Sequence, residues 1–172
     1  MALTLIKEDG TGKADANSYA DVTDGDGYHE GHLYATAWTA ATTANKEKAL
    51  VMATRLLDAE YQFGGNKTNE LQALQWPREA CRDPDGADSL DSDAVPPAVV
   101  NATCELAREL LVKDRTAAPA GEGLKYSNVG SAQTGYDKTD TPPVISRVAQ
   151  AMLARLGALM SARSGSVKLV RV

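Results

Sequence analysis

The chain has 172 residues, 43% of them hydrophobic, which fits one domain that buries a core without disulfides. Its formal net charge of −5 argues against a protein that wraps nucleic acid, because neutralising phosphates needs clustered lysine and arginine. The sequence shows no secretory leader pattern, so Cys81 and Cys104 are expected to be reduced. No apolar run reaches the roughly 18 residues of a membrane span. We therefore expect a soluble protein with reduced thiols, made in a cytoplasm.

The first residues predict an extended segment followed by a weak helix. Residues 2–7 are β-prone and a glycine-rich turn ends them, which predicts a short strand or an ordered arm over residues 1–15. Residues 21–33 predict a short helix that three glycines weaken. Its inward-facing residues are expected to be Val22, Tyr28 and Leu33.

Two later helices have strong periodicity. Residues 45–61 carry apolar side chains at three- and four-residue steps and stop at Gly64-Gly65, where glycine tolerates a helix end. Pro97 opens the other helix, which ends near residue 114. The two expected buried stripes are Ala49, Leu50, Ala53, Leu57 and Tyr61, and Val99, Val100, Thr103, Ala107, Leu110 and Leu111. Between these helices, the acidic residues 82–93 are typical of an exposed loop.

The last third of the chain predicts a β-hairpin near residues 124–136 and a helix over residues 144–162. The inward face of this helix is expected to hold Val144, Val148, Ala151, Leu156 and Leu159. Together the patterns predict a mainly α fold, a small helical bundle with a β-hairpin and extended N- and C-terminal arms. Its parts are the arm at 1–15, a helical domain at 16–163 and a tail at 164–172.

The residues that could support chemistry do not form a recognisable site. His29 and His32 have a spacing that metal sites use, but a third ligand is not evident. The aspartates of residues 82–93 lack the spacing of a calcium-binding EF-hand, and residues 10–13 lack the glycine spacing of a phosphate-binding loop. No serine or cysteine lies in a nucleophile motif. We predict no enzyme, no metal and no cofactor.

Two segments instead suggest contacts inside the fold or with another chain. Trp76 precedes Pro77, which disfavours a helical conformation and makes the indole a fixed anchor. Arg78 carries a planar fork of donors that suits a carboxylate or backbone carbonyls, inside the fold or across a subunit boundary. The strand-like residues 167–172 either pair with residues 2–7 or add to the sheet of another chain.

The order of these parts resembles the head-tail connector proteins of long-tailed bacteriophages. The likeness covers about residues 16–111. The residues that carry it are Ala16-Asn17-Ser18-Tyr19, residues 46–50 and 54–58, Gln72-Ala73-Leu74-Gln75-Trp76-Pro77-Arg78, and Asp93-Ala94-Val95-Pro96.

The resemblance implies a structural virion protein that forms a ring, twelvefold in virions of the family, between the capsid portal and the tail. Its partners would be the portal protein, a tail-side connector or tail terminator protein, copies of itself and passing double-stranded DNA. It would reside at the head-tail interface, and in the host cytoplasm during assembly. We assign portal docking to Val167, Lys168, Leu169, Val170, Arg171 and Val172, and the ring interface to Trp76, Pro77, Arg78 and Arg55.

Within such a ring, Arg55 or Arg78 could face the acids of residues 82–93 in the next copy. Two other interpretations stay open. One is a DnaT-like single-stranded DNA-binding module, because some sequences of this kind are likened to a primosomal single-strand-binding protein. The other is a metal-dependent enzyme that uses His29 and His32.

Overall fold

The computed structural model describes residues 3–86, 89–117, 126–129, 132–135 and 143–160. Within them the fold is mainly helical, as predicted. The helices are α1 (Val22–Glu30), α2 (Thr36–Thr39), α3 (Thr43–Glu60), α4 (Pro97–Val112) and α5 (Arg147–Leu153). The strands are β1 (Tyr61–Phe63), β2 (Asn66–Lys67), β3 (Arg78–Glu79), β4 (Tyr126–Val129), β5 (Ala132–Gly135) and β6 (Gly157–Leu159). They form three antiparallel pairs, β1 with β6, β2 with β3, and β4 with β5.

The core lies where α3 packs against α4 and α4 packs against α5. The Thr42 hydroxyl caps α3 by accepting the Asn45 N–H, and Pro97 is the first residue of α4. Both strongly periodic helices are therefore confirmed. Their fully buried side chains include Leu50, Ala53, Leu57, Val99, Ala102, Leu106 and Ala107.

The first predicted helix is too long at its C-terminal end. Helix α1 stops at Glu30 because Gly31 caps it, and Leu33 is 85% exposed instead of facing inward. The start of α1 is better defined than its glycines suggest. Asp21 accepts the Asp24 N–H, and the Asp24 carboxylate accepts the Asp21 N–H, which completes a capping box.

The prediction of a single helix over residues 144–162 is wrong. Helix α5 ends at Leu153, and the chain turns into β6, which pairs with β1. A Cβ atom on Gly157 would lie 2.6 Å from the Gln62 carbonyl oxygen, so only glycine allows this close strand approach. Val148 is 49% exposed, contrary to the expected inward face. Long-range strand pairing has therefore overridden a local helical period.

The predicted hairpin is confirmed as β4 and β5, in a register that runs from Tyr126 opposite Gly135 to Val129 opposite Ala132. The expected N-terminal strand is reduced to one parallel bridge between Lys7 and Ser18. The C-terminal tail, residues 164–172, lies outside the described residues, so the division at 1–15, 16–163 and 164–172 stays a prediction. None of the described helices is long and apolar enough to cross a bilayer.

The N-terminal arm is fixed by a buried carboxylate. Glu8 is 1% exposed, and its two carboxylate oxygens accept the backbone N–H groups of Gly10, Gly12 and Lys13 at 3.0, 2.9 and 2.8 Å. The glycine-rich turn thus cradles an anion, as a phosphate-binding loop does, but the anion belongs to the chain itself. At Gly10, with φ of +99°, a Cβ atom would lie 1.9 Å from the Asp93 carbonyl oxygen, so the turn packs directly on the segment before α4.

Candidate functional site

Helices α1 and α2 and the loop between them form a corner, residues 22–39, which we call the α1–α2 corner. Trp38 anchors it from inside, with 1% exposure and an Nε1–H that donates to the Asp26 carboxylate at 2.8 Å. The indole packs so closely on α1 that a Cβ atom at Gly25 would lie 2.3 Å from its ring. Lys46 of α3 binds the same carboxylate at 2.7 Å and lies 5.1 Å from the indole centroid. These contacts hold α1, α2 and α3 in fixed positions.

The loop of this corner carries two exposed apolar side chains. Leu33 is 85% exposed and Tyr34 is 74% exposed. Tyr34 is the one aromatic side chain with high exposure among those that the structure describes. Its backbone is held in place, because the Tyr34 N–H donates to Nδ1 of His32 at 3.1 Å. The loop therefore offers an aromatic face to solvent from a defined position.

The same loop is tied to α4 through a buried acid. Glu105 is 2% exposed and accepts a hydrogen bond from the Arg108 guanidinium at 2.5 Å. The other oxygen of this carboxylate lies 3.7 Å from Nε2 of His32. Val112, which is 68% exposed, follows on the same side of α4 as Glu105 and Arg108. The exposed loop thus adjoins a side of α4 that carries both an arginine and apolar surface.

His29 lies behind the loop, with one ring nitrogen hydrogen-bonded and the other unpaired. Its Nε2 atom is 3.1 Å from the Cys104 carbonyl, which can only accept, so Nε2 carries the proton. Its Nδ1 atom is buried and has no hydrogen-bond partner. Burial lowers the pKa of His29, so the ring is neutral and Nδ1 presents a lone pair.

A cleft of about 500 Å³ opens beside this histidine, between α1 and α2. Its lining residues are Thr23, Asp26, Gly27, His29, Glu30, Trp38 and Thr39. The Lys46 ammonium and then the Trp38 N–H hold the pKa of Asp26 below its ordinary value, so this carboxylate is ionised. The surface of the cleft is mainly apolar, with the Trp38 indole as one wall and the ionised Asp26 carboxylate as a hydrogen-bond acceptor.

The two histidines do not form the metal site that their spacing allows. Their ring centroids are 5.8 Å apart, but His29 packs on Trp38 and points Nε2 to a backbone carbonyl, whereas His32 contacts Glu105. The part of the chain that the structure describes contains no group of three metal-binding side chains. The enzyme interpretation thus has no support from the geometry of His29 and His32.

Fewer than half of the lysine and arginine side chains in the described residues are paired with carboxylates. Carboxylates pair with Lys7, Lys13, Lys46, Arg108, Arg115 and Arg155. Lys48 and Arg55 are two of the unpaired cations among these residues. Both are exposed on one side of α3, about 10.5 Å apart along its axis, with no carboxylate of the described residues in ion-pair range.

The residues assigned to the ring interface have contrasting positions. Trp76 is fully buried and packs on Phe63, with ring centroids 5.6 Å apart. Pro77 is also buried, and Arg78 is 9% exposed. The Arg78 guanidinium donates to the carbonyls of Gly64, Gly65 and Gln75 at 2.6, 2.7 and 3.1 Å.

This guanidinium therefore satisfies backbone carbonyls of its own chain, one of the two alternatives that the sequence left open. Arg55 is exposed on α3. The docking residues 167–172 lie outside the described residues. The assignment of all these residues to interfaces stays a prediction.

Comparison with known proteins decides the family. Residues 3–172 match the family described as "Putative DnaT-like ssDNA binding protein". The chain belongs to this DnaT-like family. No curated protein and no solved structure matches it.

Membership in the DnaT-like family overturns the connector interpretation, and with it the ring, the portal and tail partners and the passing double-stranded DNA. The alternative interpretation, single-stranded DNA binding, is the one that the family supports. The argument from net charge failed because a net charge counts paired and unpaired groups alike. What matters for DNA is which cations and aromatic faces remain exposed.

Sequence reasoning also missed the α1–α2 corner. It placed Leu33 on the inward face of a helix and did not consider Tyr34 or Trp38. The available signal was Gly31, since a glycine stop followed within three residues by Leu33 and Tyr34 is typical of a helix end with an exposed loop.

Proposed function

We propose that this protein binds single-stranded DNA in the cytoplasm, performs no reaction on it, and uses Tyr34 as a stacking surface for a base. Membership of the DnaT-like family supports the ligand. The exposure of Tyr34 carries the choice of site. Proteins that bind single strands commonly stack bases on aromatic side chains, a contact that tolerates any sequence because every base has a π-face.

The contacts that hold the Tyr34 loop in place also suit Tyr34 to this role. Its backbone N–H is fixed by His32, and His32 contacts Glu105 of α4, so the loop loses little freedom when a base stacks on it. The adjoining Arg108 has a half-buried guanidinium whose charge Glu105 balances. Arg108 therefore adds a polar edge near the stacked base and little net attraction for phosphate.

The charge distribution favours stacking as the main source of affinity. The net charge of −5 and the pairing of six cations with carboxylates reduce the number of phosphates that the protein can neutralise. Lys48 and Arg55 are the exposed cations on α3 that remain able to contact the backbone. We expect a modest dependence of affinity on salt, in contrast to proteins that bind through many lysines.

The test compares Tyr34→Ala with Tyr34→Phe in a fluorescence anisotropy titration of a labelled oligo-dT strand at low salt. Loss of one stacked base costs about 1–3 kcal/mol, so Tyr34→Ala should weaken binding by roughly 5- to 150-fold. Tyr34→Phe keeps the π-face and should bind like the parent protein. Leu71→Ala, which removes a 76% exposed side chain elsewhere, is the matched control and should have no effect.

Two results would overturn the proposal. If the parent protein does not bind the strand at low salt, the proposed function is wrong. If it binds but Tyr34→Ala binds equally well while circular dichroism shows a folded protein, the site is wrong.

A further inference from the structure

We infer that the cleft between α1 and α2 receives one base of the bound strand and prefers a base with an exocyclic amino group. This inference rests on the proposed function and adds a base preference to it. It starts from the Nδ1 atom of His29, a buried acceptor without a donor on a side chain that is 3% exposed and lines the cleft. Buried acceptors in proteins almost always have a donor, so an unpaired one beside a cleft indicates a ligand that brings one.

The other polar groups of the cleft require the same kind of ligand. Asp26 and Glu30 contribute carboxylates, which only accept hydrogen bonds when ionised. Thr23 and Thr39 contribute hydroxyls that can donate or accept a hydrogen bond. A molecule that pairs with these polar groups must therefore present N–H groups.

A nucleobase with an amino group satisfies these requirements. The amino groups of cytosine and adenine are donors, and aspartate and glutamate accept from the cytosine N4 amino group in known readout. Uracil and thymine offer only the N3–H donor, and they carry a carbonyl at the ring position of the cytosine amino group, which would face the lone pair of His29 or a carboxylate. The cleft volume of about 500 Å³ has room for one base.

The location of the cleft agrees with a strand that already contacts Tyr34. Cleft and loop belong to the same α1–α2 corner, since Glu30 ends α1 and Tyr34 follows within the loop. A strand that stacks one base on Tyr34 can thus reach the cleft with another base nearby. The stacked base supplies affinity without sequence preference, and the base in the cleft supplies the preference.

The sharpest ligand test compares oligo-dC with oligo-dU of equal length, because the two bases share size and ring type and differ at the amino position. By anisotropy, the parent protein should bind oligo-dC at least about 5-fold more tightly, the effect of one polar group left unpaired. Equal affinities would overturn the inference while leaving the proposed function intact. Failure to bind either strand would instead refute the proposed function.

Two glycines provide a matched pair of protein variants. A Cβ atom at either Gly27 or Gly31 would have no atom within 4 Å, so a larger side chain starts into open space at both positions. Gly27 lines the cleft and Gly31 does not. Gly27→Leu should fill the cleft and abolish the preference for oligo-dC while leaving oligo-dU binding unchanged, whereas Gly31→Leu should keep the preference. Equal behaviour of the two variants would refute the assignment of the cleft.

A third variant and a competitor complete the test. Glu30→Gln replaces an exposed carboxylate by an amide and should reduce the preference for oligo-dC without affecting folding. Free deoxycytidine monophosphate should not displace oligo-dC at equimolar concentration, because it lacks the second base on Tyr34. Displacement at that concentration would assign the cleft to a free nucleotide and overturn the inference.

Discussion

Replacing Glu8 by alanine should be among the most destabilising single substitutions in this chain, although the residue lies in an arm with almost no regular structure. The carboxylate is 1% exposed and accepts three backbone N–H groups, those of Gly10, Gly12 and Lys13. In Glu8→Ala these three donors lose their acceptor and water has little access to them. The turn also packs against Asp93, so its loosening would reach the segment that leads into α4.

The magnitude follows from the number of orphaned groups. Each buried donor without a partner costs about 1–3 kcal/mol, and removal of the carboxylate returns part of its own desolvation cost. We expect Glu8→Ala to lower the free energy of unfolding by about 3–5 kcal/mol. Glu8→Gln should cost about 1–3 kcal/mol, because one amide oxygen can still accept from Gly10 and Gly12 while the amide nitrogen opposes the Lys13 N–H.

Urea denaturation followed by far-ultraviolet circular dichroism measures both variants. Asp15→Ala is the control, since it removes an exposed carboxylate from the same arm and should change stability by less than about 0.5 kcal/mol. Formate should partly restore the stability of Glu8→Ala by occupying the vacated cradle, whereas chloride at equal ionic strength should not. A Glu8→Ala protein as stable as the control would refute the reasoning, as would equal effects of the two anions.

Three further predictions concern charge, pH and packing. Lys48→Ala and Arg55→Ala should each reduce the slope of log affinity for single-stranded DNA against log salt by about 0.7, and an unchanged slope in the double variant would exclude this side of α3. Because burial lowers the pKa of His29 below 6.5, its contribution to stability is complete above pH 6.5 and is lost as the pH falls through the folded-state value. Urea titrations should show this loss, at most about 1.4 kcal/mol per pH unit, and His29→Asn should flatten the curve. Gly25→Ala should lower the free energy of unfolding by about 1–3 kcal/mol, since the new methyl group meets the Trp38 indole at 2.3 Å. Gly27→Ala meets no atom and should raise it by up to about 1 kcal/mol. Equal melting temperatures of the two variants would contradict this.

The helices that the sequence predicted well are those in which the apolar periodicity and the capping residues indicate the same helix. Helix α3 has an apolar stripe through Leu50 and Leu57 and a capping residue at Thr42, and α4 opens on Pro97. In both, local propensity and tertiary packing favour the same structure. The last helix was overestimated because Leu156 and Leu159 continue a helical period, although pairing of β6 with β1 requires an extended chain there.

The candidate site was harder to predict because its components are separated in the sequence. The unpaired Nδ1 of His29 arises from a contact with Cys104, which is 75 residues away. The buried Glu105 that holds His32 belongs to a helix predicted only for its apolar stripe. Net charge was misleading for the same reason, since ion pairs such as Lys46 with Asp26 form only in the folded chain.

The two tryptophans of this chain give it a pair of built-in spectroscopic reporters. Trp38 lies in the wall of the cleft with His29 at 5.0 Å, and Trp76 lies against Phe63 beside β1. A Trp38→Phe protein would emit from the β1 side alone, and a Trp76→Phe protein from the cleft alone. Ligand entry and local opening could then be followed separately by intrinsic emission, without any dye attached to the protein.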